Sequence, residues 1–435
     1  MAPRFKHGSR IGPYTVLDCL AGGGMAEVYL ALNTGPSGFA RVLALKVVLP
    51  NLAREQSFAQ MFEDEARIAG LLNHPGVVQV FDFGVDGDVQ YMAMEYVDGP
   101  NLFRTVRQLR PHGRVPTHLA LRVAADVCAA LEYAHTLRVG DGEPLRFVHR
   151  DVSLENVLVS YAGQTKVADF GIAKARTAVN VTRAGTLKGK HSYLPPEVFA
   201  GQGLDHRADI FGMGVTLYAM LTGAMPFRGP DRTPPTAPGA LCPEISVELE
   251  RLVLRALEKD PAKRFQSAAQ MRDELEELMR RTRVGLPHEL AAFLAEVFPE
   301  GADPLRVKYR AAVDLCARMS QGLPGPWSTE VAAPSGDAPL ADISTETDPF
   351  EEPVADPPAP DEPDEPDDGE ETTRYPPLAK QPTATAEGAF FSRQHRSREE
   401  VAAPPPRRST LLPLIAFAAL FLIVAICLVV ILARF

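Results

Sequence analysis

The chain has 435 residues, more than one ordinary domain holds, and its 46% hydrophobic and 23% charged side chains are a normal balance for a folded unit with a sizeable core. A formal net charge of −10 argues against a nucleic-acid binder that depends on phosphate contacts. Five cysteines (Cys19, Cys128, Cys242, Cys316 and Cys427) stand far apart without metal-ligand spacing, which argues against a zinc cluster or a disulfide framework and suits a reducing compartment.

The first ten residues are basic with no apolar run behind them, so no cleavable export signal is expected. Residues 14–20 and 26–33 read as strands separated by glycines, and residues 41–48 as a third. A helix is predicted over residues 57–72, with Phe58, Met61, Phe62, Glu65, Ile68, Ala69 and Leu72 on one face. Strands follow at 77–83 and 89–96. After Asp98 and Gly99 the pattern turns helical, as over 119–137 and 209–221. This is an α+β pattern, a small strand-rich lobe joined to a larger helical lobe, and a cleft between lobes is where a small ligand lies.

Beyond residue 279 the character changes. Residues 286–319 read as a helical extension with a weaker pattern, and there is no internal repeat. Over 320–408 Pro, Glu, Asp, Ser and Thr dominate, too little apolar surface to repay chain entropy, so a disordered acidic linker is expected. Residues 330–373 hold 16 Asp and Glu and no Lys or Arg. Residues 411–432 are 22 in a row without a charge. A helix of that length reaches about 33 Å, enough for a bilayer core of about 30 Å. Arg407 and Arg408 before it favour a single-pass anchor in the cell membrane with the bulk of the chain in the cytoplasm.

Three groups of residues carry chemistry. Gly22, Gly23 and Gly24 lie between two strands, where glycine permits a tight turn and a close approach of backbone N–H groups to phosphate oxygens. Neither a P-loop nor a dinucleotide fingerprint is present, since no GK[ST] follows and the next element is a strand. Lys46 sits among apolar residues, and Glu65 sits on the apolar face of the next helix. A carboxylate aimed into a core needs a cation, and Lys46 is the natural partner. Asp151 and Asn156 lie five apart in a polar loop before an apolar strand, and Asp169 follows that strand. Two carboxylates and a carboxamide from adjacent loops suit a hydroxyl nucleophile and a hard divalent cation.

These motifs, together with MEYVDG, HRDVSLEN, DFG, the YLPPE segment and DPAKRF, fall in an order that resembles the bacterial eukaryotic-like serine/threonine protein kinases over residues 11–279. The resemblance implies a bilobal protein kinase fold using ATP and Mg2+ to phosphorylate protein substrates. Lys46 would pair with the α- and β-phosphates and with Glu65, Asp151 would accept the proton of the substrate hydroxyl, and Asn156 and Asp169 would hold magnesium. Ala21, Gly22, Gly23 and Gly24 would cover the phosphates. Met94 would back the adenine pocket, Glu95 to Val97 would form the hinge, and Val28, Ala44 and Leu158 would sandwich the ring. Arg150 would order an activation loop phosphorylated at Thr177, Thr182 or Thr186. Glu197 and Arg264 would pair in the large lobe, and Asp209 would brace the catalytic loop.

The chain departs from that pattern at several places. Ala21 and Ala26 replace two family glycines, and Ala26 adds a methyl group where a bend is expected. Ser153 stands where most of the family carries a lysine that touches the transferring phosphate, which predicts lower turnover unless Lys188 or Lys190 compensates. Leu154 replaces a proline, and the proline-rich stretch 227–246 replaces a helix used for docking. A pseudokinase scaffold that binds partners without catalysis is the rival reading, and the presence of Lys46, Glu65, Asp151, Asn156 and Asp169 together weighs against it. An anchor without an outer sensor domain points to regulation by self-association or by cytoplasmic partners.

Overall fold

Alternating apolar residues at the start of the chain build an antiparallel sheet. The strands are β1 (Arg10–Ile11), β2 (Tyr14–Gly22), β3 (Ala26–Thr34), β4 (Ala40–Val48), β5 (Val80–Asp86) and β6 (Val89–Met94), in spatial order β1-β2-β3-β4-β6-β5. The computed structural model describes residues 3–53, 55–110, 113–138, 143–170, 190–201, 203–227 and 234–321. The expected linker beyond residue 321, the expected anchor over 411–432, and Thr177, Thr182, Thr186 and Lys188 lie outside the described residues. Among the described residues no helix is long and apolar enough to cross a membrane.

Helix α1 (Pro50–Ala53) leads into α2 (Gln56–Ala69), which packs on the sheet through Phe58, Met61, Phe62 and Ala66 against Val48 and Met92. The expected face shifts slightly: Ala66 is buried and Ile68 only partly so, and the helix ends at Ala69, capped by Gly70. Strand β5 begins three residues later than expected. Val77 and Val78 are instead held by the other lobe, the Val78 N–H donating to Val167 O at 2.9 Å. Strand β6 stops at Met94 because the chain then crosses to the large lobe, where Tyr161 N–H donates to Asp98 O at 2.8 Å. Gly99 is required at that crossing, since a Cβ there would lie 2.0 Å from Val159 O.

The large lobe contains α3 (Leu102–Leu109), α4 (Thr117–Thr136), the hairpin β7 (Val157–Val159) and β8 (Thr165–Val167), α5 (Pro196–Phe199), α6 (Arg207–Thr222), α7 (Pro238–Leu241), α8 (Val247–Ala256) and α9 (Ala268–Arg281). Side-chain caps mark several helix starts: Asn101 accepts from Arg104 N–H, Ser246 from Leu249 N–H and Ser267 from Gln270 N–H. Helix α6 is buried without a break from Ala208 to Leu221, as expected for a helix apolar on every side. It packs between α4 and α8 and meets the loop before β7 so closely that a Cβ on Gly212 would lie 2.7 Å from Val152 O. The proline-rich stretch forms only the single turn of α7 among its described residues.

The stretch 286–319 is two helices, α10 (Pro287–Val297) and α11 (Pro304–Ser320). Leu290 and Leu294 of α10 join the large-lobe core, whereas Ala312 and Leu315 of α11 join an apolar cluster with the small-lobe sheet.

Arg264, 1% exposed, ties the lower part of the large lobe together. Its guanidinium donates to both Glu197 carboxylate oxygens at 2.7 Å and to the carbonyls of Glu258, Arg207 and Lys259, so all five N–H groups are used. Removing one member of such a pair strands a buried charge. Arg264→Met is expected to cost about 3–5 kcal/mol, read as a lower urea midpoint, while replacing Glu197 and Arg264 together by apolar residues costs less.

Candidate active site

Lys46 lies opposite Val28 on β3 and Met92 on β6, in the middle of the sheet. Its Nζ is 3.0 Å from Glu65 Oε1 and 2.9 Å from Asp169 Oδ1, and its side chain is 14% exposed. One cation thus joins β4, the buried face of α2 and the segment after β8. Burial alone would push the Lys46 ammonium down, but the carboxylates of Asp169 and Glu65 override it and hold it above its ordinary value. The lysine is charged at every physiological pH.

The loop before β7 is fixed from beneath by Asp209 of α6. Its Oδ2 accepts from His149 N–H at 2.7 Å and from His135 Nε2 at 2.8 Å, and its Oδ1 accepts from Arg150 N–H at 2.7 Å. His149, fully buried, spans two loops: Nε2 donates to Ala168 O at 3.0 Å and Nδ1 accepts from Asp151 N–H at 3.2 Å. That pattern needs the neutral ring, and burial lowers the His149 pKa in the same direction. Arg150 (φ 64°) and Asp169 (φ 54°) both adopt left-handed backbone, which a non-glycine residue takes at a cost and which clusters at functional sites.

Asn156 Nδ2 donates to Asp151 Oδ2 at 2.6 Å and to Asp151 O at 2.8 Å, while Asn156 O accepts from Ala168 N–H at 2.8 Å. Asp151, Asn156 and Asp169 are therefore held by interlocking loops. Among the described residues no group of three His, Cys, Asp or Glu side chains is arranged to hold a metal by itself. Magnesium takes one or two protein ligands and completes its shell with phosphate oxygens and water. Asp169, with its carboxylate 40% exposed, and the amide oxygen of Asn156 fit that donor set.

Val28, Ala44, Met94, Val97 and Leu158 share one apolar cluster with Leu20, Leu30 and Ala168, a lining suited to a flat ring. The Glu95 carboxylate is occupied: it accepts from Lys166 Nζ at 2.9 Å and from Gln79 N–H at 3.3 Å. Its backbone N–H donates to Gln79 O at 2.8 Å, which leaves the backbone carbonyl to meet a ligand. The glycines are not required here for left-handed backbone. Gly23 N–H closes the β2–β3 hairpin on Ala26 O at 2.9 Å, yet Gly22, Gly23 and Gly24 all avoid positive φ. A Cβ on Gly22 or Gly24 would meet nothing within 4 Å, so what these residues supply is bare backbone facing open space. Ala21 pairs with Val28 and Ala26 with Val48, so both alanines are ladder residues and Ala26 hinders no bend.

Ser153 is fully buried and its Oγ has no hydrogen-bond partner among the described residues, which places it in the core beneath the loop. Lys190 opens a short turn over Lys190–Tyr193. Sequence reasoning missed Lys166, His149 and His135. For Lys166 a signal existed: it is a lone cation between Thr165 and Val167, both of which point into the core.

The profile of the protein kinase domain family matches residues 14–275. The tyrosine-protein kinase MasK of Myxococcus xanthus is 40% identical over 302 residues, covering 66% of this chain and 46% of MasK. Serine/threonine-protein kinase PknB of Mycobacterium tuberculosis is 37% identical over 277 residues, covering 60% of this chain and 42% of PknB. The chain thus spans less than half the length of these curated relatives. The crystal structure of the Mycobacterium tuberculosis PknI kinase domain superposes with a TM-score of 0.51 and 30% identity, covering 63% of this chain and 99% of that domain. With more than half its length matched and a cleft built around Lys46, Glu65 and Asp169, the chain belongs to the protein kinase family.

Proposed function

We propose that the protein transfers the γ-phosphoryl group of ATP to serine and threonine hydroxyls of protein substrates, its own activation loop included, while tethered to a membrane. The observation that carries this reading is the Lys46 ammonium held between Glu65 and Asp169, at 3.0 and 2.9 Å. Fixed there, its remaining donor capacity serves the α- and β-phosphates of a nucleotide whose ring lies among Val28, Ala44 and Leu158. Magnesium, on Asp169 and Asn156 with phosphate oxygens and water, would neutralise charge at the β- and γ-phosphates. Asp151, oriented by the Asn156 amide, accepts the proton as the substrate oxygen bonds to the γ-phosphorus and the bond to ADP breaks. Arg150, whose buried Nε has no partner among the described residues, is suited to a phosphate on Thr177, Thr182 or Thr186.

A second reading, tyrosine specificity, is favoured by the name of MasK and by the lack of a lysine at Ser153. The serine/threonine reading rests on PknB and its kin. The membrane tether rests on the uncharged run 411–432 alone, and self-association through it is a further part of the proposal.

Asp151→Asn is expected to lower kcat by about 10²–10⁴ with little change in KM for ATP, measured by radiolabelled phosphate transfer. Unchanged labelling would overturn the role of Asp151, and wild-type protein that transfers no phosphate would leave the scaffold reading standing. Mass spectrometry after incubation with ATP and magnesium should find phosphothreonine among Thr177, Thr182 and Thr186, and none in Lys46→Met. Phosphotyrosine as the main product would transfer the protein to the MasK type. In fractionated cells, deleting residues 411–435 should move the protein from membrane to soluble fraction; retention on the membrane would refute the tether.

A further inference from the structure

Helix α11 does no chemistry, yet it lies across the junction between the lobes. Leu305, Tyr309, Ala312, Leu315, Cys316 and Met319 recur at helical spacing and all enter the apolar cluster that contains Val28, Ala44 and Met94. Lys308 Nζ sits 3.0 Å from Asp18 Oδ2 on β2. At the far end a Cβ on Gly38 would lie 2.9 Å from Met319 O, so the helix abuts the turn before β4. These attachments belong to the small lobe.

The other end of the same helix is fastened to the large lobe. Asp303, its N-cap, is 3% exposed. Its Oδ1 accepts from Arg104 Nη2 of α3 at 2.9 Å and from Leu305 N–H at 3.1 Å, and its Oδ2 accepts from the Tyr161 hydroxyl at 2.7 Å. The Arg306 guanidinium lies 3.8 Å over the Tyr161 ring. Between the two ends, Tyr309 stacks on Tyr96 of the interlobe connection, with ring centroids 4.5 Å apart and planes at 25°.

A stiff helix pinned to two bodies and to the link between them restricts their relative rotation. We propose that α11 is a brace that holds the lobes near the separation a nucleotide requires, and that Tyr309 is a positioning residue acting through Tyr96. Asp303 is its lower anchor. Loosening either end populates more open arrangements, and nucleotide affinity falls in proportion to the fraction that remains competent. The chemical groups themselves stay in place, so turnover at saturating ATP does not change. This inference rests on the kinase reading above.

The test compares full-length wild type with Tyr309→Ala, Tyr309→Phe, Asp303→Asn and the Tyr309→Ala/Asp303→Asn double variant. A non-hydrolysable ATP analogue with magnesium is titrated calorimetrically, and KM for ATP, kcat and melting temperature are recorded. Tyr309→Ala and Asp303→Asn are each expected to raise Kd and KM by about fivefold with kcat retained. Tyr309→Phe, which keeps the stacked ring, should match wild type. The double variant should fall short of the product of the single effects, because both cuts release the same brace. Lower melting temperatures with unchanged Kd and KM would overturn the brace and leave α11 a structural prop. Wild-type protein that binds no analogue overturns the kinase reading and the brace together, whereas wild type and variants that bind alike overturn the brace alone.

Discussion

A buried ammonium with two carboxylates is the constraint around which this molecule is arranged. Lys46 loses its water inside the sheet, and the cost of that is met only if Glu65 and Asp169 reach it from different elements. Glu65 comes from a helix packed on one side of the sheet, and Asp169 from the segment after the β7–β8 hairpin of the other lobe. The position of α2 and the approach of the lobes are therefore both tied to one cation. With two carboxylates against one ammonium and Asp151 nearby in the same cleft, the site carries an excess of negative charge. A triphosphate, as the proposed function requires, would enter such a site accompanied by a metal cation rather than alone.

A second layer of buried polar groups fixes the loops that carry Asp151 and Asp169. Asp209 rises from an otherwise apolar helix and is satisfied by two backbone amides and the His135 ring. His149 links the Asp151 amide to the Ala168 carbonyl through a neutral ring. Arg264 and Glu197 do the same for the lower lobe. Polar groups in a core are costly unless every one is partnered, so these contacts specify one arrangement of the loops rather than adding bulk stability. The left-handed backbone at Arg150 and Asp169 is held in place by this network.

The two terminal helices extend the same logic outward. Helix α10 completes the core of the large lobe, and α11 covers the apolar cluster that contains Val28, Ala44 and Leu158, the residues proposed to hold the ring. A kinase domain cut at residue 279 would strip that cluster of Tyr309, Ala312, Leu315 and the other side chains that α11 contributes to it. Here the extension is part of the fold that forms the cleft.

Much of this was legible without coordinates because the chemistry demands particular residue types in a particular order. Glu65 on an apolar helix face called for a cation, and Lys46 was the one at hand; Asp151, Asn156 and Asp169 announced themselves by polar character between apolar strands. Local pattern also located β2, β3, β4, α2, α4 and α6, since periodicity is a property of neighbouring residues. Tertiary structure decided what depends on distant residues meeting. It moved β5 three residues along because Val78 is claimed by β8, buried Ser153, joined Lys166 to Glu95, and laid α11 across both lobes. Sequence carries the demand for a partner; only the packed chain, where desolvation makes one pairing cheaper than the rest, decides which partner answers it.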